Sequence, residues 1–111
     1  MMGYDRESVT KKHVFDAGVN SPAVSTARYA WQSIHFPSNF VDCTITFQFL
    51  NETDGSWVDA IDFEGVAIGG VSVVAGQALP VNQYLNHAKV WRFVCSAAQP
   101  AGLEFSTVNK T

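Results

Sequence analysis

The sequence predicts an all-β protein, folded as an antiparallel β-sandwich that is jelly-roll-like, with about seven or eight short strands. Apolar and polar side chains alternate with a period of two in several segments, and turn signals separate those segments at short intervals. Helical periodicity is almost absent. These patterns are typical of half-buried strands that turn one face of each sheet into a shared core.

The clearest predicted unit is a hairpin made of residues 41–50 and 57–63. Thr and Gln side chains lie on one face of its first strand, and the other face is apolar: Val41, Cys43, Ile45, Phe47 and Phe49. Asp54-Gly55 lies between the two strands, and both residues tolerate the positive φ of a tight turn.

Further strands are expected on the same grounds. They span residues 9–15 (an edge strand), 28–36 (ending before Pro37), 66–74, 90–96 and 103–108. Gly69-Gly70 predicts a bulge or bend inside 66–74. The remaining segments are expected to be turns or links: 16–22, 76–80 and 97–102. For residues 82–88 the alternatives are a short helical turn and a crossing loop.

The chain has 111 residues, of which 47% are hydrophobic and only 15% charged. This length fits one domain, and we expect residues 1–8 to form a flexible arm and residues 9–111 the domain. A typical protein has about 25% charged residues, so the low value favours burial of surface against other subunits. The net charge of −3 without a basic stripe argues against nucleic-acid binding. No apolar run approaches the roughly 18 residues of a membrane helix.

The sequence contains no common catalytic constellation. Its histidines (His13, His35 and His87) are not in metal-binding spacings, and no serine lies in a G-x-S-x-G turn. The glycines form no phosphate-binding loop, and the acidic turn at 51–54 lacks the spacing of a calcium loop. We therefore expect no enzyme activity, no catalytic residues, no cofactor and no metal.

The cysteines and tryptophans are assigned by their positions in predicted strands. Cys43 and Cys95 are expected to be buried free thiols, with a disulfide between adjacent strands as the alternative. Trp91 is expected in the core, whereas Trp57 follows a turn and is compatible with either environment. If Trp57 is exposed, Asp54 and Trp57 are the candidate ligand residues of a sugar-binding site, because exposed tryptophans stack on sugars.

Several segments resemble a pattern found in small bacteriophage virion proteins. They are Phe36-Pro37-Ser38-Asn39-Phe40, Cys43-Thr44-Ile45-Thr46-Phe47-Gln48, Thr53-Asp54-Gly55-Ser56-Trp57, Asp62-Phe63-Glu64-Gly65 and Val90-Trp91-Arg92-Phe93-Val94. The resemblance covers about residues 14 to 95. The central strand with its D-G-x-W turn also occurs in discoidin-like ligand-binding sandwiches.

The resemblance implies a capsid decoration (cement) protein that binds the outside of a phage head and stabilises it. It implies a homotrimer whose partner is the major capsid protein, made as a soluble chain in the host cytoplasm and located on the virion. The candidate interface residues lie near the N-terminus: Met1, Met2, Tyr4, Arg6, Lys11 and Lys12. The alternatives are a carbohydrate- or receptor-binding module of a phage tail or fibre, and a tail or neck structural subunit.

Overall fold

The computed structural model describes residues 8–26, 29–81, 85 and 88–111, and these form ten strands with no α-helix. The strands are β1 (Ser8–Val14), β2 (Gly18–Asn20), β3 (Val24–Ser25), β4 (Trp31–His35), β5 (Cys43–Leu50), β6 (Trp57–Asp59), β7 (Gly69–Val73), β8 (Ala78–Pro80), β9 (Val90–Gln99) and β10 (Glu104–Lys110). None of the described segments is an apolar helix of membrane-spanning length.

The strands form two antiparallel sheets. Sheet 1 has the order β1-β10-β4-β8, and sheet 2 has the order β2-β9-β5-β6, with β3 also paired to β9 and β7 to β5. Phe15, which follows β1, meets Phe93 of β9 with ring centroids 5.8 Å apart, so the β1 side of sheet 1 lies beside β9. Leu79 of β8 and Gly69 of β7 line one opening between the sheets, so the opposite side brings β8 beside β7.

The core lies between the two sheets and follows the predicted alternation. Ile45 and Phe47 of β5 are buried, as are Trp91 and Phe93 of β9. Aromatic rings from both sheets meet edge to face there: the ring centroids of Phe93 and Phe105 are 5.1 Å apart. Burying a side chain of this size contributes about 1.5–3 kcal/mol, so each of these rings adds substantially to stability.

A chain of buried polar groups continues the core toward one end of the sandwich. The Nε1 of Trp91 donates to Oε1 of Gln32 at 3.3 Å, and Nε2 of Gln32 donates to Oδ1 of Asn109 at 2.8 Å. Asn109 Nδ2 in turn donates to Oγ1 of Thr107 at 3.1 Å, and that oxygen lies 2.9 Å from Nε2 of His13. Because each group has a partner, this polar cluster avoids the penalty of unsatisfied burial.

The predicted fold class and most of the predicted strands are confirmed. Strand β1 is an edge strand, β5 and β6 form the predicted hairpin, and Trp91 is fully buried. Cys43 and Cys95 are free thiols; Cys95 is buried and Cys43 is half-buried.

Other boundaries differ from the prediction. The link 16–22 contains β2, and the loop 76–80 contains β8, which pairs with β4. Strand β9 continues to Gln99, whereas β6 ends at Asp59. Most of the segment 82–88 lies outside the described residues.

The predicted bulge occurs at Gly69-Gly70. The β5–β7 register shifts between Ile45 and Thr46 where Thr46 faces Gly69. Gly69 has a φ of 123°, and a Cβ built there would lie 2.6 Å from the Cα of Thr46. Only glycine lets the two backbones approach this closely.

Candidate functional site

A short hairpin of residues 60–68 projects from sheet 2 between β6 and β7. Its base is held to β5: Ala60 N donates to Phe47 O at 3.0 Å, and Phe47 N donates to Ile68 O at 3.1 Å. Ala60 and Ile68 are both buried and anchor the base in the core. These contacts therefore fix the base of the hairpin to the sandwich.

The tip of the 60–68 hairpin is closed by a tight turn. Gly65 N donates to Asp62 O at 3.0 Å, and Asp62 N donates to Val66 O at 2.9 Å. The Asp62 carboxylate accepts further hydrogen bonds from the backbone N–H groups of Glu64 and Val66, at 2.8 and 3.0 Å. Aspartate commonly closes turns in this way, and the bonds fix the backbone that carries Phe63.

Large apolar side chains on this hairpin face solvent. Phe63 at the tip is 95% exposed, and Ile61 and Val66 beside it are 57% and 56% exposed. Fully exposed phenylalanine is unusual, since burying its ring is favourable by about 1.5–3 kcal/mol. An exposed apolar cluster on a rigid support is typical of an interaction surface.

The surroundings of this apolar cluster are acidic. Between residues 29 and 88 the sequence has no Lys or Arg, and its carboxylates are Asp42, Glu52, Asp54, Asp59, Asp62 and Glu64. Most of these carboxylates lie on the β5–β6 turn and the 60–68 hairpin, which both adjoin β6 at the edge of sheet 2. The surface is thus an apolar tip with an acidic border.

The outer face of sheet 2 carries a linked row of polar side chains beside Trp57. Gln48 Nε2 donates to Oδ1 of Asp59 at 3.0 Å, and Arg92 Nε donates to Oε1 of Gln48 at 2.8 Å. The guanidinium of Arg92 lies over the Trp57 ring, 4.4 Å from its centroid. Partial burial lowers the pKa of Arg92 from its usual range. Trp57 is half-buried and its ring is covered by this cation.

Asp54, the other candidate ligand residue, lies in the β5–β6 turn. Its carboxylate accepts hydrogen bonds from Ser56 N at 2.9 Å and from Ser56 Oγ at 2.7 Å. These bonds lower the pKa of Asp54. Asp54 and Trp57 therefore contact different partners, and their role as ligand residues stays a prediction.

A groove lies on the outer face of sheet 1, and we call it the Trp31 groove. It is open, has a volume of about 610 Å³ and is lined chiefly by Trp31, Ser33, Pro80, Val108 and Lys110. The register puts these residues on one face, because Val108 pairs with Ser33 and Ser33 with Pro80, while Lys110 pairs with Trp31. Trp31 is 58% exposed. Among the described residues that line it, the groove is mainly apolar, with Lys110 as the cation at its border.

The predicted N-terminal interface falls partly within the structure. Met1, Met2, Tyr4 and Arg6 lie outside the described residues. Lys11 and Lys12 belong to β1, where Lys12 Nζ is 3.5 Å from Glu104 Oε1 and Lys11 Nζ lies 5.2 Å from the Tyr29 ring centroid. Ser8 already pairs with Lys110, so the sandwich begins at the last residue assigned to the arm.

Phe63 and Trp31 were not singled out by the sequence patterns. Alternation over 57–63 put Phe63 on a strand, but the strand ends at Asp59 and the chain turns at Asp62. The Asp62-Phe63-Glu64-Gly65 sequence is itself a turn signal, and it could have marked Phe63 as a tip residue. Within the described residues, no group of three His, Cys, Asp or Glu side chains is placed to hold a metal ion.

The fold is similar to a solved structure from a prophage. The crystal structure of SPBc2 prophage-derived protein YomS aligns with a TM-score of 0.65 over 100% of this chain and 99% of that chain. The sequences are 6% identical, so this likeness concerns the fold alone. No protein-family model matches the sequence, and no curated protein is significantly similar to it.

Proposed function

We propose that this chain is a non-enzymatic structural protein of a phage virion, and most specifically a capsid decoration protein that binds the outside of the head as a homotrimer. The observation that carries the proposal is the 60–68 hairpin, which holds a 95% exposed Phe63 on a rigid base. Such a side chain stabilises a complex when a partner covers it.

Other features support the proposal. The sequence resembles small phage virion proteins in several segments, and its fold is shared with SPBc2 prophage-derived protein YomS along both chains. Only 15% of residues are charged, which suits a protein that buries much of its surface in an assembly.

The mechanism is mechanical. Two packed sheets form a stiff unit, and the exposed apolar surfaces of several copies contact several capsid subunits at once. Each further contact is made at high effective concentration, so modest interfaces combine into firm attachment. A head cross-linked in this way resists expansion and loss of subunits.

The test is to add the purified protein to phage heads assembled without it and to measure co-sedimentation and thermal resistance of the heads. Wild-type protein is expected to saturate the heads and raise the temperature at which they release DNA. Phe63→Ser is expected to bind the heads at least about 30-fold more weakly, because it removes an aromatic contact on which assembly on the head depends.

Val14→Ser is the matched control, because Val14 is an exposed apolar residue on β1, away from the hairpin. It is expected to bind like wild type. No binding of the folded wild-type protein would contradict the decoration role.

Carbohydrate binding is a second candidate, because Trp31 is exposed beside an apolar groove with Ser33 and Lys110 at its border. A glycan array together with quenching of tryptophan fluorescence tests it. Saturable binding that Trp31→Ala removes would favour a receptor-binding module over decoration.

A further inference from the structure

We propose that the 60–68 hairpin of one copy docks into the Trp31 groove of the next copy, with Phe63 as the inserted side chain. This inference deepens the proposed function and rests on its self-assembly component. It assigns two surfaces of the same chain to one contact.

The two surfaces match in size and polarity. The groove has a volume of about 610 Å³, whereas a cavity of about 150 Å³ holds a benzene ring. A phenyl ring therefore fits with room for part of Ile61 or Val66. The groove offers the side chains of Val108 and Pro80 and the indole of Trp31 as apolar partners.

The two surfaces also match in charge. Asp62 and Glu64 flank Phe63, and Lys110 lies at the border of the groove. A contact between them buries the ring while placing carboxylates beside an ammonium group. A docked copy of the same hairpin is thus favoured over a basic or neutral peptide, and a second copy is always present at equal concentration.

The contact is head to tail, because the hairpin belongs to sheet 2 and the groove to the outer face of sheet 1. Different patches of the two copies meet, so in such a pair one copy keeps an unoccupied groove and the other an unoccupied hairpin. Repetition of such a contact closes into a ring when the rotation allows it, as a trimer requires.

The experiment measures mass by light scattering after size exclusion for wild type, Phe63→Ser and Val108→Lys. Both replaced side chains lie on the surface or its border, and unfolding midpoints confirm that each variant folds. Wild type is expected to be oligomeric. Each variant is expected to associate at least about 30-fold more weakly.

Mixing the two variants identifies the geometry. Phe63→Ser keeps an intact groove, and Val108→Lys keeps an intact hairpin, so a head-to-tail contact predicts a one-to-one dimer on mixing. A two-fold contact between hairpins would leave Val108→Lys fully oligomeric, which would overturn the proposal.

Charge exchange gives an independent readout. Glu64→Lys and Lys110→Glu are each expected to weaken association, and the double variant is expected to restore it.

A strictly monomeric wild type, or an unchanged oligomer in Phe63→Ser, would overturn the docking. Sugar that binds the groove without any effect of Phe63→Ser on assembly would also overturn it. Head binding by a folded monomer would leave the decoration role intact, so the two proposals fail separately.

Discussion

The side chain of Gln99 pairs with the backbone of Val41 as a neighbouring strand would. Val41 N donates to Oε1 of Gln99, and Nε2 of Gln99 donates to Val41 O, both at 2.9 Å. Gln99 is buried, at the end of β9. One amide thus satisfies both backbone groups of a residue that lies just before β5.

Gln99→Met is expected to lower the free energy of unfolding by about 1–3 kcal/mol, because a buried amide partner disappears and the backbone groups of Val41 lose their bonds. Urea unfolding followed by tryptophan fluorescence measures the change. Gln77→Met is the matched control at an exposed turn, where Gln77 accepts one bond from Val74 N. Equal losses in both variants would contradict the role of Gln99.

Gly69→Ala is expected to destabilise the protein by more than about 2 kcal/mol, since its Cβ would lie 2.6 Å from the Cα of Thr46 and force β7 away from β5. Gly70→Ala is the control, because Gly70 also has a positive φ, 71°, but no atom lies within 4 Å of its Cβ position. That change is expected to cost about 1 kcal/mol. Thermal unfolding of both variants shows whether the loss of stability in Gly69→Ala comes from contact of the new Cβ with Thr46 or from the positive φ alone.

Acid is expected to destabilise the protein through His13. Burial, assisted by the charge of Lys11, lowers the pKa of His13 in the folded chain. Its ordinary value is about 6.5, so the unfolded chain binds the proton first as the pH falls. The contribution of His13 to the free energy of unfolding is therefore complete above that pH and is lost as the pH falls below it.

His13→Gln is expected to flatten the pH dependence of stability, measured by urea unfolding between pH 7.5 and pH 5. His35→Gln serves as the control, since His35 lies on the exposed outer face of sheet 1 and leaves the His13 environment intact. A slope unchanged in His13→Gln would show that another group governs the acid response.

Cys95 is expected to resist alkylation in the folded protein. Burial, together with the neighbouring Cys43, raises the pKa of Cys95 to about 12, so almost no thiolate is present at neutral pH. Iodoacetamide labelling with mass spectrometry should modify half-buried Cys43 first and Cys95 only in denaturant. Rapid labelling of Cys95 in native buffer would contradict this assignment.

The sequence was sufficient for the elements that alternate clearly. In β5 and β10 every second side chain is apolar or buried, so period and burial agree, and Phe47 on the predicted apolar face of β5 is buried. The short strands β2 and β8 were missed because three residues show no usable period. Their pairing depends on the neighbouring strands β9 and β4 rather than on local propensity.

The candidate site was harder to predict because it depends on where a strand stops. Alternation predicts which face of a strand Phe63 would lie on, but it does not predict where the strand ends. The turn at Asp62 places Phe63 outside the sheet. The Trp31 groove is assembled from β4, β8 and β10, which are distant in sequence. Three-dimensional surfaces of this kind have no local sequence signal.

Lysines of β1 and carboxylates near β6 are placed unevenly over the described part of the molecule. Lys11 and Lys12 lie on β1 at one side of the sandwich, whereas Asp59, Asp62 and Glu64 lie on the opposite side. Approaching copies are therefore turned by each other's field before they touch, provided that they are within a screening distance of about 10 Å at 0.1 M salt. Raising the ionic strength should consequently slow encounter more than it speeds dissociation, because the apolar contact is insensitive to dilute salt.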